Sequence, residues 1–330
     1  MKVAHVAIVT PRRCGLYETT RELVAAERDL GIDAAIVDPK PHPAFQDVGP
    51  EDRGAPIRDM EWAKTADLIV SHSGHDGTPL ADTDQPILQA AHGRPVSTWI
   101  MEREGGAPAW TYHGVRSQRE RYRGCVTFWP EYEAYFQAMW GDKPVHVVPP
   151  TVDLDYWCPD DTDYDFAGQA GEYNVVMTDP WCRRDVVPMP LILAFHRFRQ
   201  SVPQAKLHIF AMDENHKGLA WVKRLLGDGL GIIQRWAADL RPVYRKADML
   251  ISPQRIYTRS IREAMACGAQ VVSAKDADPA DIIAFARSME VRVEFPLDTR
   301  HRARMSFCPE RAARVMRSVM QQHALEEAVA

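Results

Sequence analysis

Ala247-Asp248-Met249-Leu250-Ile251-Ser252-Pro253, followed by Ile261-Arg262-Glu263-Ala264-Met265-Ala266-Cys267-Gly268-Ala269-Gln270-Val271-Val272, is the stretch that decides the fold. It reads as a buried strand, a loop, a short helix, a glycine stop and a second strand. In an open α/β sheet the carboxyl ends of such strands form the ligand crevice, and helix N-termini favour phosphate. Glu263 sits in the short helix just after the loop, where a carboxylate is suited to gripping ribose hydroxyls. The segment alone suggests a nucleotide-diphosphate site.

Working outward, short apolar or β-branched runs recur along the chain. In the first half they are Val3–Val9, Ala34–Val37, Asp67–Ser71, Pro95–Ile100, Cys125–Phe128 and Val145–Val148. In the second half they are Asn174–Thr178, Lys206–Ala211, Gly231–Gln234, Asp248–Ser252, Gln270–Ala274 and Val291–Phe295. Amphipathic stretches alternate with them, among them Glu18–Leu30, Asp185–Gln200 and Pro309–His323. Alternating strands and helices predict parallel sheets, and two such series predict two Rossmann-like domains, residues 1–160 and 161–330. The seam is expected in Pro159–Glu172, which is rich in Asp and Gly and poor in apolar residues. Pro130 and Pro309 stand where helices would begin, and Gly31 and Gly268 where helices would stop.

The 330 residues are enough for one large or two ordinary domains. No apolar run is long enough to span a bilayer. The opening Met1–Thr10 is too short and too polar-flanked for a signal peptide and reads as a first strand. The six cysteines form no C-x-x-C pair, so neither zinc nor a disulfide framework is indicated, and a cytoplasmic location is expected. The net charge of −5 hides an asymmetry: residues 1–172 carry 16 Lys and Arg against 28 Asp and Glu, and residues 173–330 carry 24 against 17. A cationic second half suggests that this half handles phosphate, although solvated surface charge gives the same count.

Three stretches resemble one family. The pattern AD…SP…EAMACG…VV from Ala247 to Val272 is similar to the C-terminal signature of GT-B glycosyltransferases of the retaining glycogen-synthase and sucrose-synthase group. Val147-Val148-Pro149-Pro150-Thr151-Val152-Asp153, running on to Pro159, resembles the family's interdomain segment. A first strand, Cys14-Gly15 and a helix from about Glu18 resemble its start, where the family usually has two glycines. The resemblance implies two Rossmann-like domains with parallel sheets facing a cleft. The donor would be held by the C-terminal domain and the acceptor by the N-terminal one, with the terminal helix packing back on the N-terminal domain.

The resemblance also implies site residues. Glu263 matches the second glutamate of an E-x7-E motif; the first falls on Arg255, which cannot stabilise positive charge at an anomeric carbon. Arg255 then implies an acidic sugar, a carboxylate from elsewhere, weak catalysis, or a surface residue without a role. Tyr257-Thr258-Arg259-Ser260 replaces a glycine-rich donor loop, with Thr258 at the second glycine and Arg259 within reach of phosphate or facing water. Arg183 and Arg184 follow a strand where the family places cations on the diphosphate, and Gly15 lies where its first loop approaches that group. His72 matches a frequent family histidine, and His75 lies beside it; a structural histidine fits His72 equally well. After Pro95–Ile100 the family's histidine position is Met101, which leaves Glu102 as a polar candidate. His72, Glu102 and Arg255 are thus the catalytic candidates. His75, Arg116 and Arg119 are the acceptor-binding candidates, the two arginines within a basic and aromatic patch from Trp110 to Arg123 that also reads as a solvated helix and loop. The triplets Asp82-Thr83-Asp84, Asp153-Leu154-Asp155 and Asp161-Thr162-Asp163 read as turn and solvating residues, not as a metal site.

The expected activity is metal-independent transfer of a hexosyl or pentosyl group, with retention, from a nucleotide-diphosphate sugar to an acceptor hydroxyl. The co-substrate is expected to be a UDP-sugar, with no further cofactor, and the acceptor a glycan, a lipid or a modified nucleic acid. A sugar-nucleotide epimerase of the same fold and a non-catalytic nucleotide-sugar or nucleic-acid binder are the alternatives.

Overall fold

The computed structural model describes residues 1–7, 15–38, 51–72, 80, 83–92, 121–160, 163–178, 189–210, 212, 217–234 and 239–329. Contacts divide the chain into two units, Met1–Asp153 with Ser306–Ala330, and Leu154–Met305.

In chain order the first unit holds β1 (Lys2–Val6), α1 (Gly15–Asp29), β2 (Asp33–Val37), β3 (Glu51–Asp52), β4 (Ala55–Arg58), α2 (Met60–Ala63), β5 (Leu68–Ser71), β6 (Ile87–Ala91), β7 (Tyr122–Thr127), α3 (Glu133–Trp140) and β8 (Val145–Val147). Its sheet runs β3-β4-β2-β1-β5-β6-β7-β8, parallel throughout except for the two-residue edge strand β3. Parallel strands are covered on both faces, which is why β1, β2 and β5 are runs of buried residues rather than alternating ones. The chain passes to opposite sides of β1 when it forms β2 and β5, so the strand order reverses between β1 and β5. That is where an open α/β sheet leaves its ligand crevice.

Helix α1 buries several charged side chains, and Glu18, Arg21 and Glu22 are each paired. Arg53 Nη2 donates to both oxygens of Glu18 at 2.8 and 2.6 Å, Arg21 Nη2 donates to Asp153 Oδ2 at 3.2 Å, and Glu22 accepts from Thr151 Oγ1 at 2.8 Å and from the Asp153 N–H at 2.7 Å. The helix stops at Gly31, whose φ of +79° only glycine adopts readily. The N–H groups of Gly31 and Ile32 bond back to the carbonyls of Arg28 and Glu27, a Schellman closure.

The second unit holds β9 (Tyr173–Met177), α4 (Met189–Phe198), β10 (Ala205–Phe210), α5 (Leu219–Leu226), β11 (Leu230–Gln234), α6 (Arg241–Lys246), β12 (Met249–Ser252), α7 (Arg259–Ala266), β13 (Gln270–Ser273) and α8 (Ile282–Glu294), after which α9 (Thr299–Phe307) begins. Its sheet is parallel, in the order β11-β10-β9-β12-β13, so its strand order reverses between β9 and β12. The last helix, α10 (Pro309–Val329), belongs to the first unit, where it packs on α1, and its Ala312, Ala313, Met316 and Met320 are buried.

A polar knot fixes the outer strands of the second sheet. His208 on β10 accepts from the Ile232 N–H at 3.2 Å through Nδ1, which leaves Nε2–H to donate to Asn174 Oδ1 at 3.1 Å. Its ring stacks on Phe166 with centroids 3.9 Å apart. Burial, and then the Lys206 charge, push its pKa down to about 4. A Cβ on Gly231 would lie 2.4 Å from this ring, so the strand crossing there requires glycine.

One strand expectation fails. Val291–Phe295 is the end of helix α8: the Asp281 side chain caps its start through the Ala284 N–H, and Phe285, Ala286 and Met289 bury one face, so capping and packing override the β-branched valines. Strand β6 does not show in the sequence as an apolar run, since Gln89, Ala90 and Ala91 are poor strand formers; pairing on both sides imposes the conformation, and Gln89 Nε2 donates to the Ser71 carbonyl at 3.1 Å. The expected strand Pro95–Ile100 lies outside the described residues.

Candidate functional site

In the second unit β12 ends at Ser252, beside the point of strand-order reversal, and the chain passes through residues 253–258 into α7. Helix α7 is held by good helix formers, and every side chain from Ile261 to Ala266 is buried. It stops at Gly268 (φ +97°) with a second Schellman closure, Gly268 N–H to Met265 carbonyl and Ala269 N–H to Ala264 carbonyl. Glu263 is thereby fixed on a rigid, enclosed turn at 6% exposure. Arg259 Nε donates to its Oε1 at 2.5 Å.

Around this helix the loop residues separate. The ring of Tyr257 carries the Lys275 ammonium 4.3 Å from its centroid, and its hydroxyl accepts from Arg302 Nη2 at 3.3 Å. Thr258 is the residue before the helix, with φ −56°, a value open to any residue, so no glycine is needed there. Its buried Oγ1 has no hydrogen-bond partner among the described residues. The side chain of Arg255 is 73% exposed and lies 3.5 Å from Asp278 Oδ2. Arg183 and Arg184 follow β9 in sequence and lie outside the described residues.

In the first unit Gly15 opens α1, and its carbonyl accepts from Thr19 Oγ1 at 2.8 Å. His72 follows β5, its N–H donating to the Val6 carbonyl of β1 at 2.8 Å, so it sits beside the reversal between β1 and β5. Its two ring nitrogens meet other histidines: Nε2 lies 2.9 Å from His5 Nδ1, and Nδ1 lies 2.7 Å from His92 Nε2. His5 Nε2 in turn lies 2.7 Å from Glu27 Oε2. His5, Glu27 and His72 are all buried. Burial first, then His92 and His5, hold the His72 pKa well below the ordinary histidine value. His5, His92 and Glu27 are not among the residues that sequence patterns pick out. The available signals were a histidine inside the apolar run of β1 and another at the end of β6.

His75, Glu102, Arg116 and Arg119 lie outside the described residues. Of the expected basic and aromatic patch, Tyr122 is a buried residue of β7 set edge-on to Trp140, and Arg121 Nη2 donates to the Thr83 carbonyl at 2.7 Å. Among the described residues no group of three His, Cys, Asp or Glu side chains is arranged to hold a metal ion. Among them, too, no helix is long and apolar enough to cross a membrane.

No protein-family model matches the sequence, and no curated protein matches it. Solved structures do match it in fold. Anabaena HepE in complex with UDP and glucose is 14% identical, with 97% of this chain and 99% of that one covered at a TM-score of 0.69. Sucrose-phosphate synthase from Thermosynechococcus elongatus is 16% identical, with 97% and 98% covered at 0.72. UDP-GlcNAc 2-epimerase from Neisseria meningitidis, solved with UDP-GlcNAc, is 11% identical, with 99% and 100% covered at 0.59. The chain therefore has the α/β GT-B fold, with two Rossmann-like units, and resembles GT-B glycosyltransferases across nearly its whole length.

Proposed function

We propose that this protein is a glycosyltransferase that moves a sugar from a nucleotide-diphosphate sugar, with UDP as the nucleotide, to an acceptor hydroxyl. The observation that carries the proposal is the placement of Glu263. An enclosed carboxylate stands on the helix that follows β12, beside the strand-order reversal of the second sheet. Carboxylates in such places take ribose hydroxyls. The fold supports the reading, since it is shared with proteins solved with UDP or a UDP-sugar.

In this proposal the second unit binds the donor. Glu263 holds the ribose, Arg259 orients Glu263, and Tyr257, Thr258, Arg183 and Arg184 are the proposed contacts to the diphosphate and sugar. The first unit presents the acceptor, a glycan, a lipid or a modified nucleic acid. The family resemblance supports retention of configuration and a hexosyl or pentosyl donor, and the cysteine pattern supports a cytoplasmic setting. The resemblance also supports chemistry that needs no metal or further cofactor, in which cationic side chains meet the leaving charge.

The test is a panel of nucleotide sugars incubated with the protein, with and without EDTA, monitored for released nucleotide and for altered sugar. Slow nucleoside diphosphate release that survives EDTA supports the proposal. Free epimer without nucleotide release would make the protein an epimerase, and loss of turnover on chelation would overturn the metal-independent reading.

A further inference from the structure

Three cations of the first unit line one cavity of about 590 Å³. Arg121 lies just before β7, Arg123 lies within it, and Lys143 lies two residues before β8. Thr83, Asp84 and Gln85, on the approach to β6, also line it. Strands β6, β7 and β8 are parallel neighbours, so all these residues stand at the amino edge of the sheet. His72 stands at the carboxyl edge, one strand length or roughly 15 Å away along the strand direction. The cavity is therefore separate from the crevice beside the strand-order reversal.

The backbone brings these cations together. Strand β7 pairs Tyr122 with Ile87 and Gly124 with Leu88, which leaves Arg123 as one extra residue, a β-bulge. Bulges re-aim side chains at the ends of strands. A Cβ on Gly124 would lie 2.7 Å from the Pro144 carbonyl, so glycine is what lets the lead-in to β8 come this close. Running the β7–β8 register two residues back sets Lys143 level with Arg123. Like charges placed opposite one another destabilise a sheet, and an anion between them removes the cost. Two of the cations are anchored on neutral carbonyls. Arg121 Nη2 donates to the Thr83 carbonyl at 2.7 Å, and Lys143 Nζ to the Tyr122 carbonyl at 2.6 Å. Such bonds fix a cation without cancelling its charge, and Arg121 makes no ion pair with a described residue. Three cations face one carboxylate, Asp84, among the described lining residues, a net of two positive charges in the acidic half of the chain.

We propose that this cavity, at the amino edge of the first sheet, binds a small phosphomonoester that carries hydroxyl groups. Two net positive charges match a phosphomonoester, which carries about −1.5 to −2 at neutral pH. The arginine forks take phosphate oxygens in pairs, and the lysine meets them as a point charge. Asp84 repels phosphate but accepts from a hydroxyl, so it selects a ligand with a hydroxyl beside the phosphate. The cavity is larger than a bare phosphate ion needs and falls within the range of small-molecule sites. A soluble sugar phosphate and a phosphorylated lipid headgroup both present this chemistry. The proposal does not depend on the transferase reading.

Calorimetric titration of ribose 5-phosphate into the whole protein, with saturating UDP present, tests this. A Kd of about 1 mM or tighter is expected. Arg121→Gln and Arg123→Gln should each raise it about tenfold, the scale of one lost hydrogen bond between charged groups. Arg123 is exposed, so its variant folds even if Arg121→Gln disturbs the Thr83 turn. Inorganic phosphate should bind more weakly than ribose 5-phosphate, and Asp84→Asn should narrow the difference; equal affinities in the parent would contradict the hydroxyl contact. Sedimentation with phosphatidylcholine vesicles containing phosphatidylinositol 4-phosphate separates the two sources. Vesicle binding that both arginine variants lose assigns the lipid headgroup, and binding of ribose 5-phosphate alone assigns a soluble ligand. No binding of either probe, or binding that the folded Arg123→Gln protein keeps in full, overturns the proposal. If the parent binds no UDP, the donor reading fails, while the ribose 5-phosphate titration still decides this one.

Discussion

Arg259 and Glu263 meet across one turn of α7, with Nε 2.5 Å from Oε1 and side chains only 11% and 8% exposed. Helix electrostatics works against this order. A cation belongs near the C-terminus of a helix and an anion near its start, and each misplacement costs about 0.3–1 kcal/mol. The pair is arranged with the arginine first. It holds a carboxylate in one rotamer at the place where the proposed nucleotide lies, which is what a positioned ribose ligand requires.

Arg255 lies apart from that pair. Its exposure and its contact with Asp278 predict that Arg255→Glu changes folding stability by no more than about 0.5 kcal/mol, the usual range for surface substitutions. Comparing the donor profiles of the two proteins tests whether the side chain also touches the sugar. Loss confined to uronic-acid donors would mean a charged hydrogen bond to the sugar carboxylate. A gain with glucose-type donors would mean that the arginine hinders neutral-sugar transfer. Identical profiles would place it outside the donor site.

Stability should fall in mild acid. His208, with a pKa near 4 in the fold, and His72, also lowered, stay neutral when folded and take up protons when unfolded. Their contribution is complete above the unfolded value of about 6.5 and declines as pH drops below it, for His208 down to about 4, because the unfolded chain then binds more protons. His208 alone amounts to a loss on the order of 3 kcal/mol across that window. Urea unfolding at pH 7.5, 6 and 4.5 measures it, and His208→Gln should flatten the His208 part of the slope.

Gly231→Ala should destabilise the second unit by about 1–3 kcal/mol, as overpacking does. The new methyl meets a His208 ring already held by Phe166, Asn174 and the Ile232 N–H, which leaves the ring little room to yield. A thermal melt of the variant beside the parent checks this; an unchanged midpoint would mean that the ring moves freely.

The helix stops were legible because glycine at positive φ is a local requirement: Gly31 and Gly268 end α1 and α7 by the same closure. The strands around Glu263 were legible because a doubly covered parallel sheet writes itself as continuous apolar runs. Two kinds of feature were not. Strand β6, with its Gln-Ala-Ala end, and the valines of α8 take their conformation from neighbours rather than from propensity. The histidine line joins residues 5, 27, 72 and 92, which approach only when β1, β5, β6 and α1 assemble. His72 was picked out through resemblance, but its position between two other histidines is a product of topology.

The central claim, that Glu263 holds the ribose of a nucleoside diphosphate, is tested most directly by calorimetric titration of UDP into the parent protein and into Glu263→Ala. The claim predicts a loss of about 1–3 kcal/mol in binding free energy, the value of a hydrogen bond to a charged group. The variant should remain folded. Equal affinity of a folded variant, or no binding of UDP to the parent, would contradict it.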